Sequence, residues 1–149
     1  MATQPQYTSQ PILEYATLSS THVNTARDGS GTSSTFSLIA SGPAVSPASG
    51  VGKRILRVSL VEVQAAVGAG TANVVRFFIS TDNGTTKRLI CEKAVPTVTS
   101  SATAIGFRTE VPELVGLILP GGTGSSTISL YANLHTSANY HIIVESGQL

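Results

Sequence analysis

Tryptophan is missing from this chain, cysteine and methionine occur once each, and acidic and basic residues together make up only 11% of it. A single cysteine excludes an intrachain disulfide, so the fold does not depend on an oxidising compartment. Cys91 sits in an apolar run beside Ile90 and reads as a small buried side chain. Soluble domains usually carry about 25% charged residues. A surface this poor in charge is weakly protected against association, which implies burial against copies of itself or a partner. Nine Lys and Arg stand against eight Asp and Glu, so no net field draws in nucleic acid or an anionic membrane, and neither is expected as a partner. No apolar run approaches the roughly 18 residues of a membrane span. The opening MATQPQYTSQ has no basic n-region and no apolar h-region, from which a soluble chain without a signal peptide is expected.

What is present is a series of short β-type runs, most legible over residues 53–96. KRILRVSLVEVQAAV, NVVRFFIS and KRLICEKAV are separated by Gly68-Ala69-Gly70 and Asp82-Asn83-Gly84, which predicts an antiparallel meander of three strands. In the first, Leu56, Val58 and Leu60 alternate with Arg57 and Ser59. The apolar set then moves to Val61 and Val63, so a β-bulge is expected near Leu60 and Val61. In the second, Val75, Phe77 and Ile79 share one face, while Phe78 makes the face of Arg76 and Ser80 partly apolar. That strand is expected to be covered on both sides.

Residues 1–11 are polar, with Pro5 and Pro11, and predict an extended arm. Residues 12–18 alternate loosely and fit either an edge strand or a continuation of that arm, which gives an N-terminal arm over 1–20 and one domain over 21–149. Residues 21–26 form a short strand candidate, 27–31 a turn, and 35–40 a strand with Phe36 and Leu38 on one face. The stretch SGPAVSPASGVG at 41–52 predicts a long loop. Further on, 105–111 reads as a strand and LVGLIL at 114–119 as a strand buried on both sides. Residues 127–134 read as a strand with Ile128, Leu130, Ala132 and Leu134 inward, and 140–145 as the last strand. Eight to ten strands with no helical period predict an all-β antiparallel sandwich, with the jelly roll as the best fit to the count. At 149 residues one domain suffices, burying roughly 70% of its unfolded surface.

No catalytic constellation emerges. His22, His135 and His141 are the only groups suited to acid–base work near neutral pH. His135 and His141 flank residues 136–139 and are placed to face each other across a hairpin, but a zinc site needs further ligands. The carboxylates Glu14, Asp28, Glu62, Asp82, Glu92, Glu110, Glu113 and Glu145 are scattered. Their spacing does not exclude a glycoside-cleaving pair, but four Tyr, four Phe and no Trp leave little for a sugar-stacking platform. No Gly-x-Ser-x-Gly elbow opens a helix. The string Gly121-Gly122-Thr123-Gly124-Ser125-Ser126 lacks the Lys and helix of a phosphate loop and reads as a turn. Asp82-Asn83-Gly84 supplies one acid where a calcium loop needs several. Arg54, Arg57 and Arg76, with Lys87 and Arg88, form a candidate basic patch balanced by Glu62 and Glu92, either as cross-strand ion pairs or as a contact for an acidic partner. Catalytic, cofactor-binding and metal residues are therefore expected to be none.

The strings KRILRVSLVEV, VVRFFISTDNGTTKRLICEKAVP, LVGLILPGGTGSSTISLYANL and NYHIIVESG resemble, in style and order, the small virion β-proteins of tailed bacteriophages, chiefly capsid decoration or cement proteins. The likeness spans about two thirds of the chain; the arm and residues 41–52 stand outside it. Proteins of that group form jelly-roll or sandwich protomers, often trimers, that clamp neighbouring major capsid proteins. The resemblance thus implies a non-enzymatic homotrimer on the capsid surface of a virion, assembled in the host cytoplasm and contacting the phage major capsid protein. Two other readings stay open: a tail fibre-tip or receptor-binding sandwich whose loops hold a glycan, and a hydrolase using His135 or His141 with a carboxylate.

Overall fold

The computed structural model describes residues 11–44, 52–63, 70, 72–101, 103 and 105–149. Nine strands are found among them: β1 (Pro11–Leu18), β2 (Ser37–Ser41), β3 (Gly52–Glu62), β4 (Asn73–Ser80), β5 (Arg88–Val95), β6 (Arg108–Glu110), β7 (Ile118–Pro120), β8 (Ser129–Leu134) and β9 (Tyr140–Gln148). One sheet runs β1-β9-β3-β6, with β7 also on β3, and the second runs β2-β8-β4-β5. All the strand pairs are antiparallel. Strand β6 lies along Ser59–Val61 and β7 along Gly52–Arg54, so the two fill one strand position beside β3. The pairings β1–β9, β2–β8, β3–β6/β7 and β4–β5 then nest inside one another: this is the jelly roll.

The core lies between the sheets and follows the period-2 alternation of the strands. Val58 and Leu60 of β3, Val75 and Phe77 of β4, and Leu130, Ala132 and Leu134 of β8 are fully buried and inward, as their alternation predicts. Strand β4 is covered on both faces, because Arg76 and Phe78 are also buried.

Several sequence expectations change. Strands β3 and β4 do not pair; the chain crosses to the other sheet between them, so the three-stranded meander reduces to the β4–β5 hairpin. The bulge of β3 falls between Ile55 and Arg57, not at Leu60 and Val61. It lies where the partner position breaks: Val58 O accepts from Val111 N at 2.9 Å, while Ile55 bonds Gly116 and Leu117 beyond a 3-10 turn at Pro112–Leu114. With the slip made there, Ile55, Val58, Leu60 and Glu62 point inward, and Leu56 is left outside. The run 114–119 is no continuous strand. Gly116 takes φ +86, a conformation open to glycine, and the chain turns. As a result Leu114 and Leu119 are buried while Val115 and Ile118 are exposed. Only Arg108–Glu110 of the predicted 105–111 strand is extended in a ladder. Residues 20–22 form a 3-10 turn in place of the predicted 21–26 strand. Of the two alternatives for residues 12–18, the edge strand is found: Pro11–Leu18 runs in full register with β9. Residues 1–10 and 45–51, which carry most of the arm and the 41–52 loop, lie outside the described residues.

Strand β9 bonds β1 on one side and β3 on the other, with Ile142 opposite Ala16 and Leu60. Ile142→Ala removes a fully buried side chain from that junction and is expected to cost about 2–5 kcal/mol. In urea unfolding this appears as a lower midpoint with an unchanged slope.

Candidate functional site

The outer faces of the two sheets differ. On the β2-β8-β4-β5 sheet, Arg76, Phe78 and Ser80 of β4 stand beside Asn133, Tyr131 and Ser129 of β8. Residues 19–36 cross this face as a strap and cover its β4 and β8 positions, while Leu38 of β2 and Ile90 of β5 stay exposed. Phe36 meets Phe78 edge to face with ring centroids 5.1 Å apart, and Lys87 Nζ lies 4.7 Å from the Phe36 ring centroid and 5.3 Å from that of Tyr131. Such contacts favour a cation over an aromatic face. Gly29 is required here, since a Cβ would fall 1.9 Å from the Lys87 carbonyl oxygen.

Arg76 is the polar anchor of the strap and is 4% exposed. Its Nη1 donates to Asn24 O at 3.0 Å, its Nε to Glu92 Oε1 at 2.8 Å, and its Nη2 to His135 Nδ1 at 3.1 Å. Arg27, on the strap, pairs with the other oxygen of Glu92. Asn24 N donates to Leu134 O at 2.8 Å, which ties the strap to β8 as well. Each nitrogen of the buried guanidinium thus donates to a named acceptor, which offsets much of the cost of burying the charge. His22 opens the strap: its Nδ1 accepts from Ser19 N at 3.0 Å, and burial lowers its pKa below 6.5.

The candidate basic patch divides between opposite sides of the molecule, because β3 and β4 belong to different sheets. Arg76 faces the strap. Arg57 lies on the other outer face, with Nε 3.1 Å from Glu110 and Nη1 3.3 Å from Glu145. The cross-strand ion-pair alternative holds for Arg76 with Glu92 and for Arg57 with Glu145, each directly opposite its partner. His135 and His141 do not face each other across a hairpin. β8 and β9 lie in different sheets, and His141 is exposed on β9 opposite Thr17 and Val61. Glu14 pairs with Lys53, Asp28 accepts from Ser30 N, and Glu62 packs against Gly70 and sits opposite Tyr140. Burial, then the nearby Glu62 carboxylate, pushes the Tyr140 phenol up to about 12. Cys91 is half-buried, its thiol pushed up to about 11 by burial and then by Glu113. At that value it is a protonated, unreactive thiol at neutral pH. Among the described residues, no three His, Cys, Asp or Glu side chains converge.

The outer face of the β1-β9-β3 sheet has no such strap among the described residues. Leu13 and Tyr15 of β1, Leu56 at the β3 bulge and Ile118 of β7 are exposed there, beside the Arg57, Glu110 and Glu145 group. Sequence alternation marked β1 as two-sided but carried no sign of which sheet face would be covered. The chemistry this surface offers is contact: apolar side chains with ion-paired charges between them.

No protein-family model matches the chain, and no curated protein matches its sequence. Among solved structures the chain is similar to one in the capsid asymmetric unit of cyanophage Pam1, at 13% identity and TM-score 0.40, spanning 99% of this chain and 91% of that one. It is also similar to a structure of infectious bursal disease virus strain Gt, at 8% identity and TM-score 0.25, spanning 99% of this chain and 34% of that one.

Arg76→Met leaves Glu92, His135 and the Asn24 carbonyl without their shared donor. We expect a loss of about 2 kcal/mol or more, with faster amide exchange at Asn24, which checks that the strap is what loosens. His22 has its folded pKa lowered, so its contribution is present above the unfolded value of 6.5 and is lost as pH falls below it. Stability measured between pH 7 and pH 5 should fall in the native chain and fall less in His22→Asn. Asp82 acts lower. Hydrogen bonds from Thr86 and Ser80 hold its carboxyl at about 2, so its share is lost only between about pH 4 and pH 2.

Proposed function

We propose that this chain is a non-enzymatic structural protein of a virion, a jelly roll that decorates a tailed-phage head and bridges subunits of its major capsid protein. The observation that carries this reading is the asymmetry of the two outer faces. The chain's own strap, held by a buried arginine, covers the middle of one sheet and leaves Leu38 and Ile90 exposed at its edge strands; the other sheet, with no strap among the described residues, presents Leu13, Tyr15, Leu56 and Ile118 to solvent. Monomeric soluble domains seldom leave large apolar side chains grouped on one sheet, and such grouping marks a surface made to be covered. The low charge of the whole chain points the same way.

The supporting side chains fit the role in kind. Arg57 is paired with Glu110 and Glu145 within the same face, two carboxylates to one guanidinium, and Arg54 stands exposed opposite Ile118, so a partner docking there must bring polar contacts for these charges beside its apolar ones. Fold alone does not assign this role, because jelly rolls also serve as lectins and enzymes. The contact surface supplies the argument.

Purified protein added to phage capsids assembled without it is expected to co-sediment with them and to raise the temperature at which they open. Leu56→Lys with Ile118→Lys should weaken that attachment by about tenfold or more, since each places a charge in an apolar contact, while leaving the unfolding curve of the free protein nearly unchanged. Failure to co-sediment at all would reject the role.

A further inference from the structure

Among the described residues the two sheets end in open edges at β1, β2, β5 and the β6/β7 position. An unpaired edge is a template for a strand from another molecule, and proteins blunt such edges with bulges, charge or short length. Strand β2 has five residues and a register break between Leu38 and Ala40. β5 breaks register opposite Phe77 and Phe78 and carries Arg88, Glu92 and Lys93. β6 and β7 have three residues each.

Strand β1 has no bulge, no outward charge and full length; its protections are Pro11 at its start, the inward Glu14, and Thr17 O, which accepts from Ser37 Oγ of β2 at 3.3 Å. Its eight residues run in unbroken register along β9. Its one charged side chain, Glu14, turns toward the interior, where Lys53 Nζ, on a residue 6% exposed, donates to both oxygens at 2.8 Å. Outward it shows Leu13 and Tyr15, 68% and 79% exposed. A groove of about 270 Å³ runs beside it, bounded across the sandwich by Leu38, Ile39 and Ala40 of β2.

We propose that this edge is the contact between two copies of the chain, with β1 pairing antiparallel to β1 of the second copy about a twofold axis at Tyr15. A neutral edge offers nothing by which to select an acidic or basic partner strand, and an antiparallel strand is its own complement under a twofold. The register follows from chemistry. Residues directly opposite share a face, so only axes passing through a residue keep the apolar outward face continuous. An axis at Leu13 pairs residues 11–15 alone and draws in Pro11, which has no N–H for the ladder. An axis at Glu14 sets two carboxylates opposite each other, which is unfavourable. The axis at Tyr15 pairs residues 12–18 and leaves Pro11 outside. It puts Glu14 opposite Ala16 of the second copy, Ile12 opposite Leu18, and the two Tyr15 rings together. The dimer so formed joins the two β1-β9-β3 sheets into one and lines up both open apolar faces. It is a property of the chain by itself and does not depend on the virion role.

Light scattering of the purified chain is expected to give twice the monomer mass. Leu13→Lys with Tyr15→Lys, at two exposed positions, should raise the dissociation constant by at least about tenfold. In a Cys91→Ser background, Tyr15→Cys should cross-link into a disulfide dimer under mild oxidation, since opposed Cβ atoms lie within disulfide reach. Leu13→Cys should not, because its counterpart is displaced four residues along the ladder, about 13 Å. A monomer or a trimer in the native chain, a dimer indifferent to the lysines, or equal cross-linking at Leu13 and Tyr15 would each overturn the proposal.

Discussion

The pairing of the last strand between the first and the third holds this molecule together. Strand β9 satisfies β1 along one side and β3 along the other, so more than a hundred residues of chain must be in place before its two ladders close. Everything nested inside depends on it: β2 on β8, and the hairpin of β4 with β5 at the centre of the winding. Contacts so distant in sequence make loop closure the costly step of folding, and local propensity cannot compensate. The core answers with alternating Val, Leu, Ile and Phe from both sheets.

Once the sandwich closes, its two outer faces have different fates. β4 carries Arg76 and Phe78 on its outer side, and neither is suited to lie bare on a flat sheet. The strap resolves both, with Phe36 on Phe78 and the Asn24 carbonyl on Arg76. Cover for that sheet therefore comes from within the chain. The β1-β9-β3 sheet carries its ion pairs in plain view, with apolar side chains between them. Surface ion pairs of this kind contribute little to stability. They hold Arg57 between two carboxylates, a group of net negative charge, so a partner that covers this face must meet charge as well as apolar side chains.

The balance of charge within the edge follows the same logic. Lys53 and Glu14 neutralise each other at the margin of the core, so β1 presents backbone and uncharged side chains, Leu13, Tyr15 and Thr17. Where the other long edge, β5, spends its length on charged residues and a bulge, β1 remains straight. A fold that otherwise seals itself is left with one smooth edge and one smooth face, and both involve β1.

The sequence by itself determined the all-β class, the positions of most strands, the two-sided burial of β4 and the inward sets of β8, because alternation and turn residues are local signals. Part of the candidate surface was legible too: Arg57 and Arg76 were visible in one basic patch balanced by Glu62 and Glu92, but not as occupants of opposite sides of the molecule, and Glu110 and Glu145 were not visible as the partners of Arg57. The tertiary structure alone decided which sheet each strand joined, where β3 slips, and that the strap covers one face and leaves the other. Alternation reports which side chains share a face and says nothing of the neighbour. In a jelly roll the neighbour is set by closure of distant strands, so β3 left β4 for β9, and the bulge moved to the point where β6 gives way to β7.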